Sequence, residues 1–324
     1  MRLGTVLVSS LLATLAHPVS WPVALAAFLV RGGIVVFLLP IVVLPSTIGL
    51  SDTLSPTISE LALSGPTAEL IVLILAASAF AVAIVLLAAW FAAAMEETLI
   101  RDAPAWDELD PSRVVPPPRR GEAARIMGAR LVAHLPFALA LAWSTTRVVA
   151  ATYRELSRPE DVTTPVALRV LGSMPEVVAL VVATWVFGQI VGAVAARRVV
   201  LLGSTVAGGL RAALAECLRR PLQQFILFFV PAAALVAVVL PTAAATASTW
   251  DRVRIAIADS VGPVEGIATV CLFVALWLGG LVLVSMVCAW RAAAWTLDAE
   301  QRTFGVTVDT RPGDWSDAES SGTL

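Results

Sequence analysis

Arg31 is the one charge set well inside an apolar run, in LVRGGIVVF, and an ionisable residue at that depth defaults to a functional reading. Its guanidinium offers a fork of N–H donors to a lipid phosphate or a carboxylate. It could also join a polar patch made by Gln189 and Ser285, so Arg31, Gln189 and Ser285 form a candidate intramembrane polar site. The simpler account is snorkelling, in which the side chain reaches the cytoplasmic headgroups while the apolar residues after it complete the span.

The other reactive residue types point away from catalysis. The chain has two histidines, His17 and His134, too few for a His-rich metal site. Each lies one or two residues before a proline, and both are read as lipid-headgroup contacts together with Arg211, Arg219 and Arg220. Glu96 and Glu97 are adjacent acids beside Arg101, and they read as a solvated, ion-paired helix end. Cys217, Cys271 and Cys288 lack CxxC spacing and read as small buried hydrophobes. The sequence carries no Ser/His/Asp set, P-loop, metalloprotease helix or dinucleotide fingerprint. No catalytic residue, metal or cofactor is therefore expected, and nucleic acid is not an expected partner.

The elements that hold these residues follow from composition. The chain is 58% hydrophobic and 14% charged with a mean hydropathy of +0.87, against roughly 25% charged residues in soluble domains. An all-α, multi-pass integral membrane protein is expected. Each span needs about 20 apolar residues, and six such segments occur, at about 22–45, 69–94, 131–151, 175–196, 222–242 and 264–289. Residues 1–302 form one six-span domain in this reading. A Pro-rich cytoplasmic linker occupies 96–121 and a disordered, acidic cytoplasmic tail occupies 303–324. The first segment, 1–17, reads as a retained interfacial helix in preference to a cleaved signal peptide. Every basic residue is an arginine, and most lie in loops after even-numbered spans or at the termini. The positive-inside bias then places both termini in the cytoplasm, in the plasma membrane.

Three stretches repeat one pattern. LATLAHP, LVAHLP and ECLRRP each close an amphipathic piece on a proline, Pro18, Pro136 and Pro221, and a spanning segment follows. Val206, Leu210, Leu214 and Cys217 share one face of the third piece, with Arg211 and Arg219 away from it, as in a helix lying in the membrane interface. The second and sixth spans end alike, in AWFAAAM and AWRAAAW. About three interfacial helices and three helix-hairpin repeats are the expectation. Gly188 with Gly192, and Ala275 with Gly279, are small-residue pairs read as helix-packing contacts within the chain.

The sequence of amphipathic helix, proline and span in 204–242 resembles a group of bacterial six-span membrane domains. That group includes the membrane region attached to some glycerophosphodiester phosphodiesterases. The resemblance is one of architecture over most of 1–302, and no phosphodiesterase catalytic domain accompanies it. It implies a membrane scaffold, accessory or lipid-interacting protein, with the bilayer and its anionic headgroups as partners and a possible protein partner at the cytoplasmic face. The alternative is a transporter or permease subunit for a lipid or other small molecule. An interfacial helix with six spans also looks like the membrane subunit of some ABC exporters.

Overall fold

A computed structural model describes residues 3–38, 41, 65, 67–105, 117–157, 166–258 and 263–304. These residues are helical almost throughout, and no strand occurs among them. In chain order the helices are α1 (Leu3–Ala16), α2 (Ser20–Leu38), α3 (Ala68–Ala105), α4 (Glu122–Ala133), α5 (Leu135–Ser157), α6 (Val166–Gly172), α7 (Pro175–Leu202), α8 (Val206–Arg219), α9 (Pro221–Ala258) and α10 (Pro263–Phe304). Six of them, α2, α3, α5, α7, α9 and α10, are long and apolar enough to cross a membrane.

Several helices outrun their expected spans. α3 continues through Glu96 to Ala105, so the first ten residues of the expected linker are helical. α9 runs to Ala258 across the expected loop after Thr242, and α10 runs to Phe304. The reason is local: alanine and arginine follow each apolar run, joined by glutamate in α3 and α10, and all are good helix formers. α9 absorbs Pro231 and Pro241 without ending. Neighbouring hydroxyls bond its carbonyls, Thr242 to Val238 O at 2.7 Å and Thr246 to Thr242 O at 2.8 Å. The rest of the linker up to residue 116, the tail beyond 304 and the end of the first expected span lie outside the described residues.

The joints are built by caps and prolines. The Thr205 side chain accepts from Gly208 N at 3.2 Å and starts α8. Gly203, at φ 61°, ends α7 in a left-handed turn, and Arg119 donates to its carbonyl at 3.1 Å. Pro221 opens α9 at the first helical position, where its missing N–H costs nothing. His17 and His134 make the same bond at their joints, from Nδ1 to the carbonyl four residues back, Ala13 O at 3.0 Å and Arg130 O at 2.8 Å.

Packing gathers at one end of the bundle. The C-terminal halves of α3, α7 and α10 touch one another, and the short helices close around them: α1 on α10, α4 on α3 and α7, α8 on α7 and α4. The core there is made of small residues, with Ala93, Ala129, Ala133, Ala195, Ala196, Ala213 and Ala294 all buried. Such residues let helix backbones approach closely. At the other end α3 from Ile71 to Leu87 presents large apolar side chains outward, as a helix in contact with hydrocarbon does.

Gly188 and Gly192 lie where α7 meets α4. A Cβ on Gly188 would stand 3.0 Å from Ala133 O and the His134 ring, and one on Gly192 would stand 3.5 Å from the Arg130 side chain. The sixth span differs from its expectation. Ala275 and Gly279 face outward, with open space around Gly279, and it is the next residue, Gly280, that is buried against Thr242 of α9. One position along a helix turns the side chain by about 100°, which takes the small-residue contact off the expected pair.

Candidate functional site: an arginine cluster on one buried glutamate

Glu96 stands on α3 between two buried alanine-rich faces and is itself buried, with its side chain 5% exposed. Three arginines from three other helices converge on it. Arg31 of α2 donates through Nη2 to Oε2 at 2.6 Å, and Arg197 of α7 donates through Nη1 to Oε1 at 3.0 Å. Arg130 of α4 grips both oxygens, Nε to Oε2 at 2.6 Å and Nη2 to Oε1. A bidentate arginine–carboxylate pair is the strong form of this interaction. Two further bonds tie the cluster to backbone: Arg31 to Ala92 O at 3.4 Å and Arg197 to Ala292 O at 3.3 Å.

Local structure aims each arginine. α2 widens into a π-helical turn at Leu29–Gly33, with Gly32 at φ 105°, a conformation that only glycine takes readily. That turn packs on α3 and presents Arg31 to Glu96. Single π turns of this kind recur at functional sites. Arg130 reaches the carboxylate by lying across Gly192, where a Cβ would stand in ordinary contact with it at 3.5 Å. Arg197 is held by its own helix, donating to Ala193 O at 3.0 Å.

The cluster forms one end of a cavity of about 290 Å³. Arg291 of α10 joins the wall, and so do Gln189 and Cys288. Among the described residues Arg291 makes no hydrogen bond or ion pair, and the Arg197 Nε is buried without a partner. The remaining wall is apolar: Phe28, Trp185, Phe228, Ala232, Leu235, Val236 and Trp295. Four arginines face one carboxylate here, so the cavity holds an excess of three positive charges beside a hydrocarbon-like surface. On the apolar side α7 and α9 meet sparsely, with Trp185 edge-on to Phe228 and ring centroids 5.9 Å apart.

Two of the three expected site residues meet in this cavity, Arg31 and Gln189. Ser285 does not: it is buried away from the wall and donates to Val282 O at 2.6 Å. Arg31 turns onto Glu96, so its charge has a partner within the bundle, while its side chain stays 32% exposed. The expected solvated acid pair also divides. Glu97 does pair with Arg101 one helical turn on, at 3.5 Å, but Glu96 points to the opposite side and is the centre of the cluster. Cys271 is exposed on α10 and so is not a core thiol.

The expected headgroup contacts lie elsewhere. Arg211, Arg219 and Arg220 are exposed on and after α8, next to Leu214 and Leu218, which are also exposed. The face of α8 that packs inward is Gly209 and Ala213 with Val206, Leu210 and Cys217, so Leu214 leaves the stripe assigned to it. Burial pushes the Cys217 thiol up. Burial lowers the His134 imidazole below its ordinary range, the Arg130 and Arg31 cations act in the same direction, and the Arg130 carbonyl opposes them. A second polar group clips α8 in place: Glu216 bonds Arg198 of α7 at 2.8 Å and Arg302 of α10, while Asp298 bonds Arg302 and Gln223, the latter at 2.9 Å. No group of His, Cys, Asp and Glu suited to a metal ion occurs among the described residues.

Sequence reasoning missed Glu96, Arg130, Arg197 and Arg291 because each stands near the end of an apolar run, where a charge ordinarily reaches water. The available signal was their neighbours. AAAMEETL, AVAARRVV and AWRAAAW each set a charge among alanines, and alanine marks close helix contact in place of a solvated face. No protein-family model, curated protein or solved structure matches the chain.

Proposed function

We propose that this chain is a multi-pass protein of the plasma membrane that binds an anionic amphiphile in the arginine-lined cavity, acting as a non-enzymatic lipid-interacting or accessory protein. The single observation behind this reading is the unbalanced cavity, with Arg31, Arg130, Arg197 and Arg291 against Glu96 at one end and Trp185, Phe228 and Val236 at the other. Buried charge without a counter-ion costs several kcal/mol per ion. An anionic headgroup at the arginines with its chain along the apolar wall removes that cost and buries apolar surface together. The sites at Arg211, Arg219 and Arg220, beside exposed Leu214 and Leu218, suit a helix α8 resting in the interface with cations at the phosphates.

In the same reading α1, α4 and α8 are interfacial helices that open three repeated units, and both termini are cytoplasmic. Their packing supports the repeat: α4 rests on α3, α8 on α7 and α1 on α10, each on the last helix of the unit before it in cyclic order. The cytoplasmic linker ending near Arg119 would then meet any protein partner. A photoreactive anionic lipid tests the central part. Adducts on α7, α9 and α10 that a zwitterionic analogue does not give support it, and equal labelling by both lipids refutes it.

The second reading is a transporter for the same lipid class, favoured by the sparse contact between α7 and α9, which gives the cavity a side open toward hydrocarbon. Movement of a fluorescent anionic lipid between leaflets of proteoliposomes at rates above protein-free vesicles would favour it, and unchanged rates would leave the binding role alone.

A further inference from the structure

Resting on that reading, we infer that the ligand is a lipid phosphomonoester, held by a dianionic headgroup at Arg291 and Gln189. Glu96 engages Arg31, Arg130 and Arg197 but not Arg291, so Arg291 is the arginine of this cavity whose whole fork of donors is open to a ligand, and Gln189 lines the same cavity. The choice of headgroup follows from charge. Arginine stays protonated in proteins, and one carboxylate leaves three positive charges uncompensated at the cavity. A phosphodiester or a carboxylate brings a single negative charge. A phosphomonoester brings about −1.5 to −2 and three acceptor oxygens, and arginine binds such groups bidentately.

Size and access argue for a lipid as the carrier of that phosphate. A cavity of 290 Å³ is at the small end for ligand pockets of roughly 300–1,000 Å³, so it takes a headgroup and the first part of a chain but not a whole lipid. From Arg197 to Trp185 the wall runs twelve residues along α7, about 18 Å. At that far end Trp185 and Val236 are 41% and 54% exposed, which leaves a lateral way out for the chain between α7 and α9.

The test uses the full chain in phosphatidylcholine nanodiscs, titrated with dioleoyl phosphatidate, dioleoyl phosphatidylglycerol or inorganic phosphate, with binding read by native mass spectrometry. Phosphatidate is expected to bind at least about tenfold more tightly than phosphatidylglycerol, and inorganic phosphate to displace it poorly. Arg291→Gln should lose about tenfold or more of the phosphatidate affinity with a melting temperature no lower than the wild type's. Gln189→Leu should lose less, and it serves if Arg291→Gln fails to fold. Equal binding of the two anionic lipids overturns the phosphomonoester assignment and leaves the amphiphile reading standing. Inorganic phosphate matching phosphatidate overturns the lipid source, and no binding by either lipid overturns both.

Discussion

Replacing Glu96 with glutamine removes the one negative charge that the described residues place among these four arginines, while keeping the side chain's shape. The carboxylate accepts from Arg31 at 2.6 Å, from Arg130 through two nitrogens and from Arg197 at 3.0 Å. A glutamine amide turns an NH₂ group toward guanidinium donors, so at least two of these bonds are lost. Breaking a buried ion pair by removing one partner costs about 3–5 kcal/mol. With an unfolding entropy of about 2.1 cal/mol/K per residue, a chain of 324 residues shifts by somewhat under 2 °C per kcal/mol. Glu96→Gln should therefore lower the melting temperature in detergent by roughly 4–7 °C. The neighbouring change Glu97→Gln removes a pair one turn apart worth at most about 0.5 kcal/mol and should shift it by less than about 1 °C. Adding Arg31→Gln to Glu96→Gln should recover part of the loss, because one unmatched cation goes with the anion. A Glu96→Gln protein that melts with the wild type, or a double variant whose loss equals the sum of the singles, would refute the account of Glu96 as counter-ion.

Other expectations follow from the packing. Gly188→Val should push the joint between α4 and α5 off α7 and cost about 1–3 kcal/mol, whereas Gly279→Val, with open space around it, should stay within about 0.5 kcal/mol in the same thermal melt. Thr205→Ala removes the cap on Gly208 N and should cost about 1 kcal/mol, seen as earlier hydrogen exchange in the first turn of α8. The depressed His134 means the fold holds the neutral imidazole. Its contribution is complete above the ordinary histidine value of about 6.5 and is lost as pH falls below it. Melting temperature should drop on acidification through that range, and His134→Gln should flatten the drop; an equal slope in both proteins would contradict it.

Much of the architecture was legible because hydrocarbon imposes a simple rule on sequence. Runs of about 20 apolar residues must be helices, and the six runs, from 22–45 to 264–289, correspond to the six helices long enough to cross a membrane. Span ends were less legible, since no helix breaker stands in EETLIRDA before Pro104 or in the residues from Ala243 to Ala258. The site was visible only through Arg31 and Gln189. A charge at a helix end has the same sequence signature whether it meets water or a second helix, and Glu96 and Glu97, adjacent in sequence, take opposite fates by helical rotation alone. Ser285 failed for a related reason: a hydroxyl in a helix can bond its own backbone, so polarity within a span does not by itself mark a cavity. Periodicity assigned α8 one apolar stripe through Leu214, but glycine and alanine, Gly209 and Ala213, mark its packed face, and a count of large apolar residues passes over them.

The most direct test of the central claim is native mass spectrometry of gently extracted protein with identification of whatever remains bound. The account predicts a retained anionic lipid in the wild-type protein and its loss from Arg291→Gln, with zwitterionic lipids equally abundant in both. Wild-type protein carrying no anionic lipid, or a variant that retains the same lipid to the same extent, would contradict it.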